Sequence, residues 1–193
     1  MSTGTATATV TDIPGYVAGT WTIDPVHSDV AFSVRHMMVS KVRGKFHKVD
    51  GKIVTAENPQ DSSVTATIDL SSIDTGNEQR DAHLRSSDFF SVDEQPLMTY
   101  RSTGIRRTGD DAVLDGELTI RGITKQVPLK LELVGLGPDA YGGTRVGFSA
   151  TGEINRRDFG ISWNAAIEGG GVVVSDKVQI ALEIQCVLDT PAA

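Results

Sequence analysis

The chain has 193 residues, 22% of them charged and 39% hydrophobic, a profile that suits one globular domain and excludes disordered or fibrous classes. Its 18 basic and 25 acidic residues leave a net charge of −7, which repels phosphate backbones, argues against nonspecific nucleic-acid binding and disfavours anionic membrane surfaces. The single cysteine, Cys186, excludes an internal disulfide, and its neighbours Ile184 and Leu188 mark it as a small apolar strand residue.

Residues 1–18 are rich in Ser, Thr, Ala and Gly and read as a mobile arm ahead of one domain over 19–190. They lack the basic start and the apolar run of about 7 to 15 residues that define a secretory signal. No run of about 18 apolar residues follows, so a cytoplasmic location without stable membrane insertion is expected.

After Gly19 apolar and polar residues alternate, as half-buried antiparallel strands require. Strands are predicted over 20–23, 28–36, 43–55, 62–72, 97–107, 111–121, 123–136, 144–155 and 176–188, with turns at Gly51, Gly109-Asp110, Gly122 and Gly142-Gly143. The apolar rows include Val30, Phe32 and Val34; Val64, Ala66, Ile68 and Leu70; Val127, Leu129, Leu131 and Leu133; and Val178, Ile180, Leu182 and Ile184. Long strands with hairpin links favour an up-and-down barrel over a sandwich.

One segment breaks the alternation. TGNEQRDAHLRSSDFF (75–90) predicts a short helix over about 77–88, with Thr75 and Glu78 in capping-box spacing. Asn77, Arg80, Asp81 and Leu84 share a face, and His83 points elsewhere.

His27, His36, His47 and His83 match no compact ligand spacing, so neither a metal nor a cofactor is expected. There is no GxSxG elbow, and the Asp158-Phe159-Gly160 tripeptide lacks the companion segments of a kinase. His36 shares the inward parity of Val34, so it is expected either to be tied by a hydrogen bond to a neighbouring loop or to contact a ligand's polar end. Met37 and Met38 suit the flexible rim of an opening as well as core filling. Ala66, Gly116, Ala150 and Gly152 on inward faces favour internal space, though the glycines also permit sharp coiling.

Four stretches in order carry a resemblance: HSDVAFSVRHMMVSKVRGKF (27–46), NEQRDAHLRSSDFF (77–90), LTIRGITKQVPL (118–129) and INRRDFGISW (154–163). Over about residues 20–188 the chain resembles the YceI-like family, polyisoprenoid-binding proteins with a lipocalin-like barrel. That resemblance implies an all-β fold, an extended antiparallel eight-stranded barrel with one short helix, often dimeric. It also implies an apolar tunnel for a long-chain isoprenoid, such as a quinone or prenyl-phosphate tail, or another fatty amphiphile, and no established enzymatic activity.

Many bacterial members carry a periplasmic signal that this N-terminus does not resemble, which leaves an intracellular carrier, buffer or sensor. On these grounds Phe32, Val34, Ile68, Leu118, Ile120, Leu131, Val146, Phe148 and Ile180 are predicted to line the tunnel. Phe89, Phe90 and Trp163 would close it, Met37 and Met38 would form its rim, and His36, Arg80, Asp81, His83 and Asp158 would serve the polar end. Two alternatives stand beside this reading: an enzyme using His83 or His36 as acid/base with Asp81 or Asp158, and a dimeric barrel with a filled core.

Overall fold

The computed structural model describes residues 13–108, 111–168 and 170–189. Its strands are β1 (Gly19–Ile23), β2 (Asp29–His36), β3 (Ser40–Phe46), β4 (Val49–Thr55), β5 (Ser63–Asp69), β6 (Ile73–Asp74), β7 (Leu97–Thr108), β8 (Asp111–Ile120), β9 (Ile123–Gln126), β10 (Leu129–Pro138), β11 (Thr144–Asn155) and β12 (Val174–Leu188), with one α-helix, α1 (Glu78–Arg85). Hydrogen bonds run β1-β4-β5-β7-β8-β10-β11-β12 and return from β12 to β1, closing an eight-stranded antiparallel barrel.

Three paths around the barrel are each interrupted once. β12 pairs with β1 through Cys186–Leu188 and with β2 through Val174–Glu183, so β1 and β2 are two halves of one path. Between them Pro25 withholds a ladder donor while the Asp24 carboxylate accepts from the Val26 N–H at 3.0 Å. Likewise β3 and β4 follow β2 and β1, and β5 and β6 follow β4 and β3. The strand predicted over 43–55 is thus broken at His47-Lys48. Gly51, expected to turn, lies within β4, where a Cβ would come within 2.5 Å of the Thr65 carbonyl oxygen. Position 51 needs glycine for close approach of its neighbours.

The turn at Gly122 stands: Arg121 (φ 54°) and Gly122 (φ 74°) link β8 to β9 in the left-handed backbone of a tight hairpin. Gly142 and Gly143 lie in the bend between β10 and β11. Gly109-Asp110 and residues 1–12 of the expected arm lie outside the described residues. Residues 13–18 run against the barrel, held by the Tyr16 hydroxyl on the Ala56 carbonyl at 2.5 Å and by the Thr55 hydroxyl on the Val17 carbonyl at 2.7 Å.

The helix is shorter than predicted and its cap is different. Asn77 is the N-cap, its side chain accepting from the Arg80 N–H at 2.9 Å. The helix stops at Arg85 because the Ser86 hydroxyl bonds back to the His83 carbonyl at 2.6 Å, competing with the helical ladder. Thr75, expected as the cap, anchors the helix start instead. Its backbone N–H and hydroxyl donate to the buried Asp81 carboxylate, and its hydroxyl and carbonyl oxygens accept from Arg80 at 2.7 Å.

Two of the four small inward residues do not make space. A Cβ on Gly116 would fall 2.4 Å from the Tyr100 ring, and one on Gly152 would fall 2.6 Å from Leu129. Both glycines are filled by larger neighbours. Ala66 and Ala150 do border open volume.

Candidate functional site

The inward rows of the barrel enclose a cavity of about 860 Å³. Eleven sequence-predicted residues line it: Phe32, Val34, Ile68, Phe89, Phe90, Leu118, Ile120, Leu131, Val146, Phe148 and Ile180. Each sits where period-two alternation turns it inward, except Phe89 and Phe90, which follow α1 together with the inward-packed Leu84. The same rows add residues not singled out from sequence, among them Trp21, Tyr100, Leu129, Leu182 and Ile184.

One end is floored by the segment after α1 and by residues 154–163. Phe90 packs edge-on to Phe46, and Trp163 backs Phe89 from outside the cavity with ring centroids 5.4 Å apart. Arg156 is buried and holds this floor in place. Its guanidinium donates to the carbonyls of Ile161 (3.0 Å), Trp163 (2.7 Å), Ser175 (3.0 Å) and Val174 (3.3 Å), and it pairs with Asp176 at 3.2 Å. Arg121 ties the β8–β9 turn to the same floor through the carbonyls of Phe89 and Gly160. In the Asp158-Phe159-Gly160 tripeptide, Phe159 is buried and Gly160 (φ 72°) caps a short 3-10 turn, so the motif is structural.

At the other end the cavity meets solvent beside Tyr16, Gln60 and Arg107, while Asp111, Lys130 and Glu132 border it from strand positions whose side chains alternation turns outward. Lys130 and Asp111 pair across the strands at 3.2 Å. Arg107 has no ion pair among the described residues and faces the row of Ala112 and Leu131, both of which line the cavity.

The residues predicted for a rim and a polar end lie elsewhere. His36, Met37, Met38, Arg80, Asp81, His83 and Asp158 do not line the cavity. Arg80 and Asp81 are committed to Thr75, and Asp158 is exposed. Met37 and Met38 form a hairpin tip at the floored end, where Met37 donates to the Val173 carbonyl at 2.8 Å. His83 bonds Asp88 at 2.9 Å, not Asp81 or Asp158, and its ring stands edge-on to Trp163 and Phe89. His27 pairs with Asp24 and His47 with Asp74. No group of three potential metal ligands gathers among the described residues. No helix there is long and apolar enough to cross a membrane.

Residues 21–186 match the model of the YceI-like domain. The chain belongs to the YceI-like family. Among its relatives, a UPF0312 protein of Pseudomonas aeruginosa is 36% identical over 160 residues, covering 82% of this chain and 81% of its own. Protein YceI of Escherichia coli is 41% identical over 136 residues, covering 70% and 71%. The YCEI protein of Campylobacter jejuni superposes with a TM-score of 0.69 at 27% identity, over 92% of this chain and all of its own. A polyisoprenoid binding domain from Saccharophagus degradans shares the fold, with a TM-score of 0.67 at 16% identity over 90% of this chain and all of its own.

Proposed function

We propose that this YceI-like barrel binds a long-chain isoprenoid or similar amphiphile in its cavity, for carriage, storage or sensing, without transforming it chemically. The observation that carries this reading is the cavity, apolar along its length, with Arg107, which has no ion pair among the described residues, at its open end. Occupancy by a tail would contribute ~0.8 kcal/mol per buried CH₂ before ordering is subtracted.

In this reading Phe32, Ile68, Leu118, Ile120, Leu131, Val146, Phe148 and Ile180 contact the tail, with Phe89 and Phe90 at its far end. The polar end sits at the solvent-facing mouth, where Arg107 offers a fork of donors to a phosphate or carbonyl oxygen. A filled-core barrel is disfavoured by the size of the cavity. The acid/base alternative rested on His83 or His36, and neither lines the cavity.

The polyisoprenoid named for the S. degradans domain supports the choice of ligand class. The dimer implied by the family resemblance belongs to the same reading, and sedimentation velocity tests it. Organic extraction of purified protein followed by mass spectrometry is the direct test. The expected result is a long-chain amphiphile near one per chain, and several preparations without stoichiometric lipid would sink the proposal.

A further inference from the structure

The β2–β3 hairpin carries features that its fold does not require. Its turn is closed by the Val39 N–H on the His36 carbonyl at 3.2 Å, with Met37 at φ 51° and Met38 at φ 60°. Asn and Gly adopt that backbone readily, whereas it strains other residues. Burial does not offset the strain. Met37, Met38 and Val39 are 42, 57 and 86% exposed, and Val172 in the segment beneath them is also exposed.

Behind this apolar tip, alternation puts Arg35 on the outer face of β2 and Lys41, Arg43 and Lys45 on the outer face of β3, all exposed. Register sets Arg35 directly opposite Lys41, a pairing of like charges that destabilises a sheet. Among the ion pairs of the described residues, none uses Arg35, Lys41 or Arg43. Nearby carboxylates are engaged: Asp74, opposite Lys45, holds His47, and Asp176 holds Arg156 and Arg157. Glu168 is an exposed acid in the segment that meets the tip. Within a chain of net charge −7, the hairpin is a local reversal of sign.

We propose that this hairpin docks the protein on the surface of an anionic phospholipid bilayer. Met37, Met38 and Val39 enter the headgroup region, while Arg35, Lys41, Arg43 and Lys45 lie over lipid phosphates. An acidic protein or a nucleic acid would use the cations but leave the apolar tip in water. A second copy of this chain would cover the tip but bring the same four cations. A bilayer surface satisfies both features side by side. The cavity lining reaches Val34 and Val174, next to the rung on which His36 pairs with Val174, so docking sets the floored end of the barrel against the membrane.

The test is flotation of the full chain with vesicles of phosphatidylcholine alone or with a minority of phosphatidylglycerol, at low and high salt. Met37→Asn/Met38→Gly suits the turn backbone and should fold with an equal or higher Tm. Arg35→Gln/Lys41→Gln/Arg43→Gln removes charge alone. The expected result is binding that requires phosphatidylglycerol, weakens with salt, and falls at least about tenfold in each variant. Equal vesicle binding by the turn variant overturns the proposal, as does binding indifferent to phosphatidylglycerol. Absence of vesicle binding by the parent, with a dimer that the turn variant loses in sedimentation velocity, assigns the tip to a second copy instead and also overturns it.

Discussion

The Tyr100 ring occupies the space where a side chain on Gly116 would stand, and the two residues are joined through Val127. The Tyr100 hydroxyl donates to the Val127 carbonyl at 3.0 Å, and the Val127 N–H donates to the Gly116 carbonyl at 2.9 Å. This circuit sits where β9 gives way to β10 and pins the strand break to the barrel wall. A methyl group at position 116 would lie 2.4 Å from the ring, so the ring or the strand must move. Gly116→Ala is expected to cost about 1–3 kcal/mol as overpacking, and Tyr100→Phe about 1 kcal/mol through the lost hydrogen bond. Urea denaturation of the single variants and the double variant measures both, with non-additivity expected between touching residues.

Burial also pushes the Tyr100 phenol from its ordinary value of 10.0 up to about 12. Between those values the unfolded chain has lost the proton and the folded chain keeps it, so stability falls as pH rises from about 10 to about 12. Tyr100→Phe should flatten that loss. Absorbance titration of tyrosinate should show a phenol ionising near pH 12 that Tyr100→Phe removes.

Arg156 is the least replaceable side chain of the floor. Four carbonyls accept from it, that of Ile161 buried and the others part-buried, and removing it leaves the buried acceptor without a donor at a cost of about 1–3 kcal/mol and weakens the rest. Arg156→Met is expected to lose more than about 3 kcal/mol, and Arg156→Lys most of that, because an ammonium cannot reproduce the planar fork. Thermal denaturation by circular dichroism checks this. A lysine variant as stable as the parent would contradict the assignment.

Cys186 is fully buried, at 0% exposure, and burial raises its thiol to about 12. A thiol reagent at neutral pH should therefore leave the folded protein unlabelled and react at the rate of unfolding. Labelling measured against urea should track the loss of strand signal.

The alternating rows were legible because Phe32, Ile68 and Ile180 sit on regular strands whose pleat runs unbroken past them. Arg107 was not. From Tyr100 to Arg107 is an odd number of residues, so an unbroken strand would turn the arginine outward. The register shift between Ser102 and Gly104 restores it to the inward face. His36 kept the parity of Val34 but lies beyond the last residue of β2 that lines the cavity. The partner of His83 was hidden because the chain leaves the helix at Ser86 and folds back, bringing Asp88 within 2.9 Å.

If the mouth holds the polar end of a ligand, Arg107→Glu should lower retention of a phosphate- or carbonyl-headed amphiphile while sparing one with a cationic head. Ala150→Phe, in the middle of β11, should block tails of every class. Extraction and mass spectrometry on the two variants separates a head-group effect from a loss of volume.

The rungs that close the barrel join Trp21 to Leu188 and Ile23 to Cys186. These partners are far apart in sequence, and such contacts form slowly because a long loop must first be closed. During synthesis the wall is therefore an open, curved sheet with its apolar face uncovered until β12 has left the ribosome. The cavity does not exist before then, and an apolar face left uncovered in that interval is open to aggregation.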